Sequence, residues 1–238
     1  VELRNLYREP EPREEVSFGA LEFNDVFRIF RSGPAETVAL RGFDLRIEPR
    51  ELVALFGPSG SGKSTAVHLA AGLEEASAGD VVVFGRSLAR LGEAELAMYR
   101  AREVALVFQS GNLWPDLSAR ENVVLSLRLA GRRNVRDQAE RALDTFDLQR
   151  REGQRAGSLS GGEQQRVAIA AAAAREAPLV LADEPTAELD ARSEQTVLVA
   201  LRRLREEFGS TVVVVTHSPR VAEAVDRVIE ILDGKVVQ

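Results

Sequence analysis

The run Gly57-Pro58-Ser59-Gly60-Ser61-Gly62-Lys63-Ser64 constrains this chain more than any other feature. It fits the pattern G-x-x-x-x-G-K-[S/T], and it lies between an apolar run, Glu51 to Phe56, and a stretch from Thr65 to Leu73 that suits a helix ending near Gly72. Strand, glycine-rich loop and helix in that order is the phosphate-binding P-loop. Glycines let the backbone wrap anionic oxygen, so that main-chain N–H groups and the helix N-terminus face phosphate. Lys63 would meet the β- and γ-phosphates, and the Ser64 hydroxyl would meet Mg2+. The competing reading is an ordinary Gly/Ser turn. With average glycine usage of about 7%, a chance match to all four fixed positions is rare. Lysine occurs only at Lys63 and Lys235, the remaining cations being arginine, so a lysine inside this loop points to a compact charge for phosphate.

A chain of 238 residues, 45% apolar and 29% charged, can bury a sizeable core, and one α/β domain with two lobes is expected. A net charge of -6 argues against a nucleic-acid partner, which usually requires a basic face. The absence of cysteine excludes disulfides and thiolate metal sites. The longest apolar runs, such as Val167 to Ala174 and Val212 to Val215, fall far short of the roughly 20 residues that span a bilayer, so the chain is not expected to cross a membrane. Residues 1–18, rich in Glu, Arg and Pro, read as a polar extension that is neither signal nor transit peptide, which leaves 19–238 as the folded domain.

Leu21, Phe23 and Val26, then Leu45 and Ile47, read as early strands forming an antiparallel edge. The stretch 92–157 is rich in helix-forming residues and is expected as a helical lobe, with Ser118-Ala119-Arg120-Glu121 as a capping box opening a helix through Leu129. After Pro178 come a short buried strand, Leu179 to Ala182, a helix around Ala191 to Phe208 and a β-branched strand, Thr211 to Thr216. This alternation implies a mainly parallel sheet covered by helices.

The strand at Leu179 ends in Asp183 and Glu184. Such an ending usually marks a strand meeting solvent. Downstream of a P-loop it is a Walker B pattern, delivering Asp183 to the metal and leaving Glu184 beside the γ-phosphate as general-base candidate. Leu159-Ser160-Gly161-Gly162-Glu163-Gln164-Gln165-Arg166 precedes an Ala-rich helix, so Ser160 and the glycine N–H groups would present a second anion-binding helix tip, or else a Gly-Gly linker with a serine N-cap. These residues resemble, without substitution, the signature sequence of the ABC ATPases. The resemblance runs from about Leu21 to Val237, and its further motifs occur in the family's order. Gln109 resembles the Q-loop glutamine, Glu188-Leu189-Asp190 the D-loop, and His217 the switch histidine. Taken alone, Gln109 would be a surface residue and His217 a structural hydrogen-bonder. Phe30 aligns with the aromatic that stacks on adenine, where the family more often has Tyr; an ordinary core or edge role is the other reading. Two further departures are Ala187, at a position often Gly or Ser, and Ser218, often Asp. His68, on the P-loop helix, reads as a packing or surface residue.

The resemblance implies an α/β P-loop NTPase of the ABC type, with a mainly parallel RecA-like core sheet, an antiparallel β edge subdomain and an inserted helical lobe. It implies ATP and Mg2+ as ligands, with Gly57 to Thr65 and Phe30 on the nucleotide and Ser64, Gln109 and Asp183 on the metal. Glu184, His217, Gln109 and Lys63 would serve catalysis, and Ser160 to Glu163 with Asp190 would close over the nucleotide of a second copy in a head-to-tail homodimer or a dimer with a close paralogue.

The segments Phe30 to Leu40, Phe108 to Leu113 and Glu121-Asn122-Val123 are similar to the macrolide-exporter and lipoprotein-release ATPases, which drive a separate membrane permease from the cytoplasmic face. Ser110 to Leu117 would grip that permease, with Trp114 either an anchor or a buried aromatic of the helical lobe. Two rivals share the motifs: a regulatory ABC ATPase that signals through a membrane partner without moving solute, and a soluble ABC ATPase of iron–sulfur cluster assembly. The lack of a coiled-coil insertion or second cassette argues against the soluble repair and translation types.

Overall fold

The computed structural model describes residues 18–33 and 35–237. The expected extension, residues 1–18, therefore lies almost wholly outside the described residues.

Among the described residues, ten strands form two sheets. The first is antiparallel and contains β1 (Leu21–Ser32), β2 (Ala35–Ile47), β4 (Ala78–Val83) and β5 (Arg86–Ser87) in the order β2-β1-β4-β5. The second contains β3 (Leu52–Phe56), β6 (Val104–Val107), β7 (Leu179–Asp183), β8 (Thr211–Thr216), β9 (Arg227–Leu232) and β10 (Lys235–Val236) in the order β10-β9-β3-β8-β7-β6. All its pairings are parallel except that of β10 with β9. The expected antiparallel edge and parallel core are both present.

The central strands are buried on both faces, which is why they read as unbroken apolar runs. Their side chains alternate between two cores. Val53, Leu55, Leu179, Leu181, Val213 and Val215 pack toward the antiparallel sheet and α1 (Lys63–Ala70). Leu52, Val180, Ala182, Val212 and Val214 pack toward the helices on the other face. Each fully buried Val or Leu contributes about 1.5–3 kcal/mol, so the sheet is held from both sides. That fixes the strand ends from which the site is built.

The helices of the second face are α3 (Ala119–Leu129), α4 (Val135–Thr145), α5 (Gly161–Ala174) and α6 (Ala191–Phe208). Ser118 opens α3 with the expected capping box, its Oγ accepting from Glu121 N while Glu121 accepts from Ser118 N. Within the stretch expected as a helical lobe, 92–157, α2 (Glu93–Arg102) and β6 serve the core. Tyr99 of α2 is 1% exposed and donates to Ala70 O, and β6 pairs with β7 as the edge of the parallel sheet. The helices whose apolar faces join the core on the sheet's second face begin at Ala119. A four-residue strand between helical segments is too short to announce itself by period. The chain closes with α7 (Pro219–Ala222) before β9.

Candidate active site

The strand β3 runs into the glycine loop, and α1 leaves it at Lys63. Two glycines are dictated by close approach. A Cβ on Gly57 would lie 2.2 Å from Ile231 O, and one on Gly62, whose φ is +102°, would lie 2.6 Å from Ala39 O. No side chain fits at either point without moving backbone. The loop thus takes its shape from β9 and β2 as well as from its own sequence.

Lys63 is 6% exposed. Its Nζ donates to Gly57 O at 2.8 Å, Pro58 O at 2.7 Å and Ser61 Oγ at 3.4 Å, so the ammonium is aimed into the loop. Burial pushes it below the ordinary lysine range, and the nearby carboxylates of Glu184 and Asp183 oppose that shift. Asp183, at the end of β7, accepts from Ser64 Oγ at 3.1 Å. Burial raises this carboxyl above its usual value, against the Ser64 bond and the charges of His68 and Lys63.

The next residue, Glu184, has φ +49°, the left-handed region that a glutamate rarely enters. Its N–H donates to Val215 O at 3.0 Å, which locks the turn onto β8. The carboxylate Oε1 lies 2.8 Å from Nδ1 of His217, one residue past β8. Adjacent parallel strands therefore bring together Glu184 and His217, the residues expected as Walker B carboxylate and switch histidine. A cavity of about 630 Å3 is lined by Lys63, Ser64, Thr65, Gln109, Glu184 and His217, with Ser59, Gly60, Gly62, Ala187 and Thr37 to Ala39 also on its wall. Phe30 is not on that wall, but it pairs across the ladder with Thr37, which is; Phe30 is 37% exposed, and the Arg28 guanidinium stands 4.5 Å over its ring. His68, on α1, is half-buried beside Glu74.

Ser160 behaves differently. It caps α5, accepting from Glu163 N at 3.3 Å, while Glu163 Oε2 accepts from Ser160 N at 2.9 Å and from Ser160 Oγ at 3.0 Å. Arg151 holds the other Glu163 oxygen at 2.7 Å. Gly161 and Gly162 sit against α6 and its approach: a Cβ would lie 3.0 Å from Leu189 Cδ2 and 2.9 Å from Ser193 Cβ respectively. Asp190 caps α6, accepting from Arg192 N and Ser193 N. Neither Ser160 to Glu163 nor Asp190 lines the cavity that holds Lys63.

Five hydrogen bonds join residues that no motif in the sequence links. Gln109 Nε2 donates to Glu188 Oε1 at 3.0 Å, joining the Q-loop to the D-loop across 79 positions. Gln165, 4% exposed on α5, bonds the carbonyls of Phe108 and Gln109. Asn112 accepts from Phe108 N and donates to Gln165. One local signal existed for Gln165: it lies on the stripe of α5 that otherwise buries Gly162, Ala168, Ile169 and Ala172.

Among the described residues no group of three or more His, Cys, Asp or Glu could hold a metal ion unaided. The oxygen pair Ser64 and Asp183 suits Mg2+, which binds through one or two carboxylates together with substrate phosphates.

A glycine-rich cradle for phosphate with a strand-end carboxylate pair at its mouth defines the site of a P-loop nucleotide hydrolase, and the Ser160 helix tip lies outside that cavity. The chain belongs to the ABC transporter family, whose profile matches residues 40–187. It is 40% identical over 227 residues to the lipoprotein-releasing system ATP-binding protein LolD of Anaeromyxobacter dehalogenans, covering 94% of this chain and 95% of LolD. It is 42% identical over 222 residues to the macrolide export ATP-binding/permease protein MacB of Marinobacter nauticus, covering 92% of this chain but spanning only about a third (34%) of MacB. Among solved structures, the dimeric ABC transporter cassette MJ0796 superposes with a TM-score of 0.84 at 37% identity, over 92% of this chain and 97% of that one. A second dimeric structure of that cassette, bound to ADP and phosphate, gives 0.83 at the same identity and the same coverage, 92% and 97%.

Proposed function

We propose that this chain is the ATP-hydrolysing motor of a transporter, acting as a head-to-tail dimer on a separate membrane permease from the cytoplasmic face. The observation that carries this reading is the separation of the two anion-binding ends. Lys63, Ser64, Gln109, Glu184 and His217 share one cavity, whereas Ser160 points from a helix tip outside it. A second copy is the natural owner of the nucleotide that Ser160 meets. The dimeric form of MJ0796 supports this pairing, and the similarity to LolD and MacB supports the transporter role.

In this reading the P-loop N–H groups and Lys63 hold the triphosphate of ATP. Ser64 and Asp183, with the Gln109 amide, would hold Mg2+, which would supply charge neutralisation at the phosphate oxygens. Glu184 orients and polarises the attacking water, and His217, held 2.8 Å from Glu184, faces the γ-phosphate. Water attacks the γ-phosphorus as Glu184 takes its proton, the bond to the β-γ bridging oxygen breaks with its electron pair staying on ADP, and phosphate forms as the proton passes from Glu184 to phosphate or solvent. Little covalent chemistry falls to the protein, so rate comes from position and electrostatics. Phe30 stacks on the adenine, and Ser160 to Glu163 and Asp190 close from the partner copy.

The permease grip lies beside the Q-loop. Trp114 is 67% exposed and Leu129 70%, and both line a groove of about 290 Å3 with Leu113, Leu125 and Ala168. Large apolar side chains gathered at an exposed groove favour an anchor role for Trp114 over a core role. Among the described residues no helix is long and apolar enough to cross a membrane, which fits peripheral attachment.

Copurification from detergent-solubilised membranes tests the reading. A permease with several spans is the expected partner. A membrane partner tied to a wall hydrolase would make the chain a signalling ATPase, and an exclusively soluble complex would overturn the transport reading.

A further inference from the structure

The side chain of Gln165 is almost wholly withdrawn from solvent, at 4% exposure, yet it sits on the apolar stripe of α5. A buried amide is retained at a cost unless its hydrogen bonds are met. Here they are met by one short loop, two by its backbone and one by a side chain. Gln165 Nε2 donates to Phe108 O at 2.9 Å and to Gln109 O at 2.7 Å, and its Oε1 accepts from Asn112 Nδ2 at 3.1 Å. Asn112 closes the same loop on itself, accepting from Phe108 N at 2.7 Å and donating to Phe108 O at 2.7 Å. The loop that carries Gln109 is therefore fastened to α5 and cannot shift along it without breaking the hydrogen bonds that satisfy the buried Gln165 amide.

The two ends of this fastening face different nucleotides. Gln109 lines the cavity of its own chain, while Ser160, at the N-terminus of the same α5, lies outside it. We infer that Gln165 is a positioning residue that makes the placement of Gln109 at one ATP and the placement of Ser160 at the other a single movement, coupling the two ATP sites of the dimer. This rests on the head-to-tail dimer proposed above. A rigid link between elements that both sites bias is the physical requirement for such coupling. The P-loop, Lys63 and Asp183 have no bond to Gln165, so capture of the first nucleotide does not depend on it.

The experiment is an ATP titration of hydrolysis by the full chain, paired with a nucleotide dissociation constant for each variant measured by calorimetry. Gln165→Met keeps length and burial and removes the donors and acceptor. It should bind ATP within about 3-fold of the parent, lose roughly 10-fold or more in kcat, and drop its Hill coefficient from near 2 toward 1, two sites being the ceiling. Asn112→Ser releases the amide from the loop side without altering the α5 core, and it must move in the same direction. If Gln165→Met misfolds, the Asn112 variant decides alone. Unchanged kcat and cooperativity in a folded variant would overturn the inference, as would a loss confined to ATP affinity with cooperativity intact. A parent chain that hydrolyses ATP without cooperativity, or not at all, would instead count against the dimeric motor.

Discussion

Glu184 Oε1 and His217 Nδ1 lie 2.8 Å apart, at the ends of two adjacent parallel strands and beside Lys63 and Gln109 in one cavity. The pairing follows from strand order, since β7 and β8 are parallel neighbours with Asp183 in register with Val215, one residue before Glu184 and two before His217. Glu184 reaches its place by adopting φ +49°, a conformation of the kind that recurs at functional sites when surrounding structure enforces it.

Glu184→Gln keeps shape and hydrogen bonding while removing the base. Turnover should fall about 10²- to 10⁴-fold with ATP affinity largely preserved. Steady-state hydrolysis beside a binding isotherm checks this; an unmodified rate removes Glu184 from the role of base.

Lys63→Ala deletes a charge-assisted contact worth about 1.5–3 kcal/mol, so ATP binding should weaken roughly 10- to 100-fold or disappear from a filter assay. Undiminished binding would count against the loop as a phosphate cradle.

Gly57→Ala would place a methyl 2.2 Å from Ile231 O, a backbone atom of β9. Overpacking of this kind typically costs about 1–3 kcal/mol, and the melting temperature should fall together with nucleotide binding. A thermal scan with and without ATP reads both effects. A variant that melts and binds like the parent would show that β9 does not hold the loop.

Asp190 is held below the usual aspartate range, chiefly by the Ser193 N–H and then by the Ser193 hydroxyl. A carboxyl lowered on folding stabilises the protein above its unfolded value, and that contribution is lost as pH falls through the folded value. The difference in melting temperature between the parent and Asp190→Ala should therefore be present at neutral pH and shrink below about pH 4, near the ordinary aspartate value. A difference that stays constant across that range would show that the carboxylate is not the capping species.

Trp114→Ala should leave the fold and the isolated hydrolysis rate within error, because exposed positions usually change stability by no more than about 0.5 kcal/mol. Capture of the permease from membranes should drop. Full retention of the partner would move the grip elsewhere.

What the sequence disclosed was local, and what it hid was long-range. The glycine loop, the capping box at Ser118, the serine-led helix tip at Ser160 and the strands ending at Asp183 and Thr216 each carry their pattern within a few neighbouring residues. The strand Val104–Val107 was absorbed into an expected helical lobe because a short apolar run has no period of its own. The bond from Gln109 to Glu188, and the clamp of Gln165 on the Gln109 loop, join residues 79 and 56 positions apart. No spacing rule spans such distances; the parallel pairing of β6 with β7 and the packing of α5 against the sheet bring them together. Trp114 was ambiguous for a related reason, since an aromatic reads the same in a core and on an exposed groove.

The most direct measurement is the molar mass of the Glu184→Gln chain by light scattering, with and without Mg·ATP. A nucleotide held between Lys63 of one copy and Ser160 of another requires the mass to rise from 26.0 kDa to about twice that when ATP is added, and Ser160→Arg should block the rise while single chains still bind ATP. A protein that is saturated with ATP and remains at the mass of one chain, with its membrane partner supplied, would contradict the shared site.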